Sequence, residues 1–205
     1  MTALPAAALV AVALAACTPT QPVEITQHRQ FQSPYPPGTT VVIEPPAGDG
    51  AVSLAEASYR DALAARLAQA GYTVTGDRSA ARLVATLEAS VGAAETGVHE
   101  NRVPEYANIR RRVRLNDGST QIVNDSFLIG YRTERFTYNI WPARVQLFLA
   151  DNERGGERVF EGDVRTRGSC DRMEALIRPM LEAMFAKSPG PDGKVIRDSV
   201  EVPDC

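Results

Sequence analysis

The sequence predicts an α+β domain: a mixed, mostly antiparallel sheet covered on one face by two main helices, in the order β-α-β-β, then hairpins, then a helix. Three observations predict it. A capped amphipathic helix lies between short β-branched runs near residues 39–91. The middle of the chain alternates apolar and polar residues with period two, punctuated by turn residues. An unbroken apolar stripe at helical spacing follows near residue 173.

Residues 39–44 (TTVVIE) form a β-branched strand that Pro45 and Pro46 stop. The glycine-rich loop at 47–52 lacks the Lys and Ser/Thr of a phosphate-binding loop and takes no phosphate role. Ser53 with Glu56 three residues on is a capping box, and Tyr59, Leu63, Leu67 and Ala70 recur on one helical face. Gly71 ends that helix. Residues 72–75 and 82–91 read as strands, the second with Leu83, Ala85, Leu87, Ala89 and Val91 on a buried face.

The turn Asn116-Asp117-Gly118-Ser119 lies between residues 110–115 and 120–123, which makes a hairpin. Phe127, Ile129 and Tyr131 alternate on one parity and Phe136, Tyr138 and Ile140 on the other, so a bulge or bend is expected between them. Residues 143–150 and 157–166 flank a Gly-Gly turn as a second hairpin. The last helix begins near Asp171, with Met173, Leu176, Ile177, Met180, Leu181, Met184 and Phe185 on its stripe. Pro179 lies off the stripe and should kink it. Within the tail, residues 194–200 are strand-like.

Residues 4–16 are an apolar, alanine-rich run that ends in Leu14-Ala15-Ala16-Cys17. The run is too short to span a bilayer as a helix. Its last four residues resemble the lipobox of bacterial lipoproteins. That resemblance implies a signal peptide over residues 1–16, removal at Cys17, and acyl chains (palmitate among them) on the Cys17 thiol and new amino group. No Lys or Arg precedes the apolar run, which departs from the usual pattern. Thr18 stands where an Asp would favour inner-membrane retention, so the expected place is the outer membrane, facing the periplasm. Residues 17–38, rich in Pro, Gln and Thr, read as a flexible tether, and residues 39–205 as a single domain.

Three cysteines are an awkward number in an oxidising compartment. Lipidation of Cys17 leaves Cys170 and Cys205, which are expected to form a disulfide; two free thiols are the alternative.

Several stretches together resemble a family of bacterial envelope lipoproteins known as domain of unknown function 4136. They are "LAARLAQAGYTVT", "ARLVATLEAS", "VQLFLADNERGGERVFEGDV" and "MFAKSPGPDGKV". In similar proteins the third is a hairpin whose turn follows an Asp, here Asp151, and whose second strand ends in an apolar-x-Gly step, here Phe160-Glu161-Gly162. The resemblance spans residues 39–195 and implies no catalytic residues. Residues 95–138 do not match it.

The composition excludes some functions. With 22 basic and 25 acidic residues the net charge is −3, which argues against nucleic-acid binding. His28 and His99 are the only histidines, too few and too scattered to imply a metal site. No Gly-x-Ser-x-Gly elbow occurs, and no cofactor motif is present, so the chain is not expected to be an enzyme. Arg110, Arg111, Arg112 and Arg114 form the only charge run. They are the candidate partner-binding residues, for lipid phosphates or an acidic envelope protein; the plainer reading is a solvated strand face. Tyr131, Phe136, Tyr138 and Trp141 could instead line a pocket for an amphiphile or other small apolar ligand, although such residues more often belong to a core. The expected role is a membrane-anchored, non-enzymatic binding or structural component of the cell envelope.

Overall fold

The structure is a computed structural model that describes residues 19–29, 35–46, 53–188, 190–203 and 205. Residues 1–16, expected to be a signal peptide, and Cys17 lie outside the described residues. Eight strands and two helices follow in the order β1 (Thr20–Arg29), β2 (Thr40–Glu44), α1 (Leu54–Gln69), β3 (Thr73–Thr75), β4 (Leu83–Val91), β5 (Glu95–Arg114), β6 (Thr120–Asp151), β7 (Glu157–Gly168), α2 (Met173–Ala186) and β8 (Val195–Glu201). The strands form one sheet in the order β3-β2-β4-β6-β7-β1-β8, and β5 pairs only with β6. β2 runs parallel to β3 and β4, and every other pairing is antiparallel.

Local sequence explains most of these elements. Ser53 accepts from the backbone N–H of Glu56, and the Glu56 carboxylate accepts from the backbone N–H of Ser53, so the capping box opens α1. Gly71, at φ 93°, supplies the left-handed residue that ends it. The start of α2 differs from expectation: Arg172 is its N-cap and makes no side-chain capping bond, and Asp171 precedes it. The helix runs on through Pro179 to Ala186.

The core lies between the two helices and one face of the sheet. Leu63 and Leu67 of α1 and Leu176, Met180, Leu181 and Met184 of α2 meet Val23, Ile25, Val41, Leu83, Val145, Leu147 and Val164 of the strands. The apolar stripe of α2 is therefore buried as its spacing predicts, apart from Phe185, which is half-buried. Gly162 makes room for it: a Cβ there would lie 2.6 Å from the Met184 sulfur. That close approach is the reason for the glycine in the Phe160-Glu161-Gly162 step. Among the described residues, the opposite face of the sheet carries a small apolar group, Val42, Ala81 and Val84, and the buried Phe148, over whose ring Arg158 lies.

Two expectations need correction. The tether placed over residues 17–38 is a strand for much of its length. β1 lies inside the sheet, between β7 and β8, with Gln21, Val23, Ile25 and Gln27 all buried. Its two inward glutamines are satisfied: Gln21 Nε2 donates to Thr166 Oγ1 at 2.9 Å, and Gln27 bridges the Met184 carbonyl and the Gly190 N–H. The domain thus begins at least nineteen residues before the boundary expected at 39. The helices also cover less of the sheet than expected, because a large part of β5 and β6 extends beyond them as a two-stranded arm.

Cys170 and Cys205 form a disulfide, with their Cα atoms 5.5 Å apart. It fastens the C-terminus to the start of α2, next to the point where the Val202 N–H donates to the Pro19 carbonyl at 2.9 Å.

Candidate functional site

The arm is the part of the molecule that the core does not account for. β5 is 20 residues long and β6 is 32, and they pair from Glu95–Ile140 outward to Arg114–Thr120. At the rise of an extended strand, 20 residues reach about 65 Å. The tip is the predicted turn. Asp117 accepts from the N–H and hydroxyl of Ser119, which holds its carboxyl below the usual carboxylate value, and Gly118 takes φ 85°.

Near the root, the Tyr138 ring covers Gly97, where a Cβ would lie 2.6 Å from the ring; this cross-strand packing offsets the missing side chain. A bulge occurs, but at Ile129 rather than between Tyr131 and Phe136: Glu105 faces Gly130 and Tyr106 faces Leu128, so Ile129 has no opposite residue and Phe127 and Tyr131 fall on opposite faces. Of the fourteen large apolar side chains left exposed among the described residues, eleven stand on this arm. They include Tyr106, Ile122, Phe127, Leu128, Ile129 and Tyr131.

The pleat separates the arginine run. Directly opposed residues in an antiparallel pair share a face. On one face of the outer arm lie Tyr106 with Leu128, Asn108 with Ser126, Arg110 with Asn124, Arg112 with Ile122, and Arg114 with Thr120. That face carries three arginines and no acidic residue. Arg111 lies on the other face, where its Nε donates to Asp125. Among the described residues, the guanidinium groups of Arg110, Arg112 and Arg114 make no hydrogen bond or ion pair, and all three are exposed. Closer to the root, Arg135 pairs with Glu100, and Arg102 lies over the Tyr131 ring at 5.3 Å.

The other charged clusters are neutralised internally. Asp151 is fully buried and accepts from Arg82 Nε and Nη2 at 2.9 and 3.0 Å, from the Tyr35 hydroxyl at 2.8 Å and from the Glu153 N–H at 3.0 Å. Burial pushes its carboxyl up, but the bonds from Arg82 and Tyr35 outweigh that and hold it below the ordinary value. Burial and the same carboxylate push the Tyr35 phenol up to about 12. Asp163 is similarly held down against its burial by Arg144 and Arg165.

Those two arginines, with Arg167, Pro22, Gly92 and Pro142, line an open groove of about 680 Å³ at the root of the arm. Arg167 pairs with Glu95, so each of the groove's three arginines already has a carboxylate partner. The aromatic pocket considered from the sequence does not assemble among the described residues. Tyr131 is on the face opposite Phe136 and Tyr138, all three are about half exposed, and none of them, nor Trp141, lines this groove.

No known protein family matches the chain, and no curated protein does. Solved structures with a similar course of the chain include a PDZ domain protein from Parabacteroides distasonis (TM-score 0.44, 13% identity), with 90% of this chain and 40% of that one covered. Another is the PelC dodecamer from Paraburkholderia phytofirmans (TM-score 0.42, 15% identity), with 80% of this chain and 95% of that one covered. The chain therefore spans about two fifths of the first protein's length.

Proposed function

We propose that this chain is a lipid-anchored, non-enzymatic component of the bacterial cell envelope, held in the outer membrane through Cys17 and binding a partner through its arm. The resemblance of Leu14-Ala15-Ala16-Cys17 to a lipobox supports the compartment. The observation that carries the binding role is the uncovered arm. An isolated two-stranded hairpin is marginal in water at best, and exposed apolar patches on this scale mark interaction surfaces. Eleven exposed large apolar side chains beside three unpaired arginines suit a partner that is both apolar and anionic.

The test is crosslinking in intact membranes of the native organism, followed by purification. Wild-type protein should carry acyl chains on Cys17 by mass spectrometry and give crosslinks along residues 106–128. Replacing Arg110, Arg112 and Arg114 by Gln should reduce those crosslinks and leave the fold unchanged by circular dichroism. An unmodified Cys17 in the processed protein would refute the anchor. Unchanged crosslinking by the triple variant would refute the role of the arginines.

A further inference from the structure

The register of the sheet fixes where the arm points relative to the chain leading to Cys17. Val23 of β1 is opposite Thr166 of β7, which is opposite Ala143 of β6. Three residues further along each strand, Thr20 comes level with Ile140, the residue at which β6 begins to pair with Glu95 in the arm. Only β7 separates β1 from β6, so the two exits are about 10 Å apart. Pro19 is still held at this end by Val202, and Cys17 is two residues before it. Two residues of chain reach about 7 Å at most. A lipid on Cys17 brings the membrane surface up to the end of the sheet from which an arm of about 65 Å projects. With a lipid on Cys17, an arm so much longer than the connection to that lipid would be within reach of the membrane surface.

The chemistry of the outer arm matches such a surface. Arg110, Arg112 and Arg114 offer planar, always-charged donors to phosphate, with no carboxylate on their face to compete. Tyr106, Ile122 and Leu128 on the same face supply the apolar and aromatic groups that settle at the level of the headgroups. A membrane-crossing hairpin is disfavoured. A spanning strand needs one apolar face for about 9–11 residues, whereas here Arg111, Asp125, Arg132 and Glu134 interrupt one face and Arg102, Arg110, Arg112 and Arg114 the other.

We propose that the outer half of the arm, residues 106–128, docks along an anionic lipid surface, with Arg110, Arg112 and Arg114 on the phosphates of the membrane that holds the anchor. The inference rests on the lipidation of Cys17 for its geometry, but the test does not need the lipid. Protein comprising residues 18–205, which holds every described element, is mixed with vesicles of phosphatidylcholine alone or with one third phosphatidylglycerol, and bound protein is sedimented. Binding to the anionic vesicles is expected, with little to the neutral ones.

Each basic side chain near an anionic surface is worth roughly a factor of five, so the triple Arg→Gln variant should bind about a hundredfold more weakly. The triple Arg→Lys variant should retain most of the binding, and added salt should weaken the wild type steeply. Salt-insensitive binding, equal binding by the triple Gln variant, or no binding to anionic vesicles overturns the proposal. So does a stable oligomer by light scattering that leaves the vesicles unbound, which makes a second copy the arm's occupant. Acylated Cys17 without vesicle binding would leave the anchored-envelope reading intact and refute only this inference. Vesicle binding with an unmodified Cys17 would refute the anchor and keep only the lipid-binding surface of the arm.

Discussion

Removing the Asp151 carboxylate tests whether the end of the sheet opposite the arm is held by a buried charge. In Asp151→Ala, four bonds are lost: two from Arg82, one from Tyr35 and one from the Glu153 N–H. Breaking a buried ion pair costs about 3–5 kcal/mol when the remaining charge is trapped. Arg82 is not trapped, because its side chain is 35% exposed and it keeps Glu153 as a partner. The expected loss is therefore about 2–4 kcal/mol, read as a lower urea midpoint at unchanged slope.

The pH dependence gives an independent readout. The Asp151 carboxyl is lowered in the fold, so its contribution is fully present above the unfolded carboxylate value near about 4 and is lost as the pH falls through the folded value. Asp151→Asn should flatten part of that acid limb, with Asp163 supplying another part. A loss below about 1 kcal/mol, or an acid limb identical to wild type, would refute the assignment.

Three further predictions concern the body. Met180→Ala, at a fully buried position of α2, should lower stability by about 2–5 kcal/mol in chemical denaturation; a smaller loss would mean that the helix is more loosely packed than described. Gly162→Val should cost about 1–3 kcal/mol by thermal melting, because the new side chain must displace Met184. Reducing the Cys170–Cys205 bridge, which closes a separation of 35 residues, should cost up to about 4 kcal/mol, measured by unfolding with and without reductant.

The sequence was most legible where local rules and burial agree. The capping box of α1, the stripe of α2 and both hairpin turns are where periodicity and turn chemistry put them. β1 was misread because half of its inward positions are glutamines and it contains Pro22. Its signal was the two-residue spacing of Gln21, Val23, Ile25 and Gln27. The glutamines could be recognised as buried only once Thr166, Met184 and Gly190 were known to be beside them. The length of the arm was not legible because Gly97, Pro104 and Gly130 disfavour strands; β5 has an open outer edge, where proline is tolerated. The arginine run was visible, and Asp117 and Asp125 lie close to it in sequence. Which arginines have a carboxylate on their own face depends on register, and register comes from pairing across the hairpin.

The place of β1 also affects the timing of folding. Thr20 faces Glu201 and Val23 faces Thr166, so the earliest strand of the domain is completed by some of its last residues. Pairings between such distant parts of a chain form slowly, because the loop must close before the contact repays it. Until the last residues emerge, Val23 and Ile25 have no β8 beside them. A chain emerging from its N-terminus would therefore keep one edge of β1 open until β8 arrived.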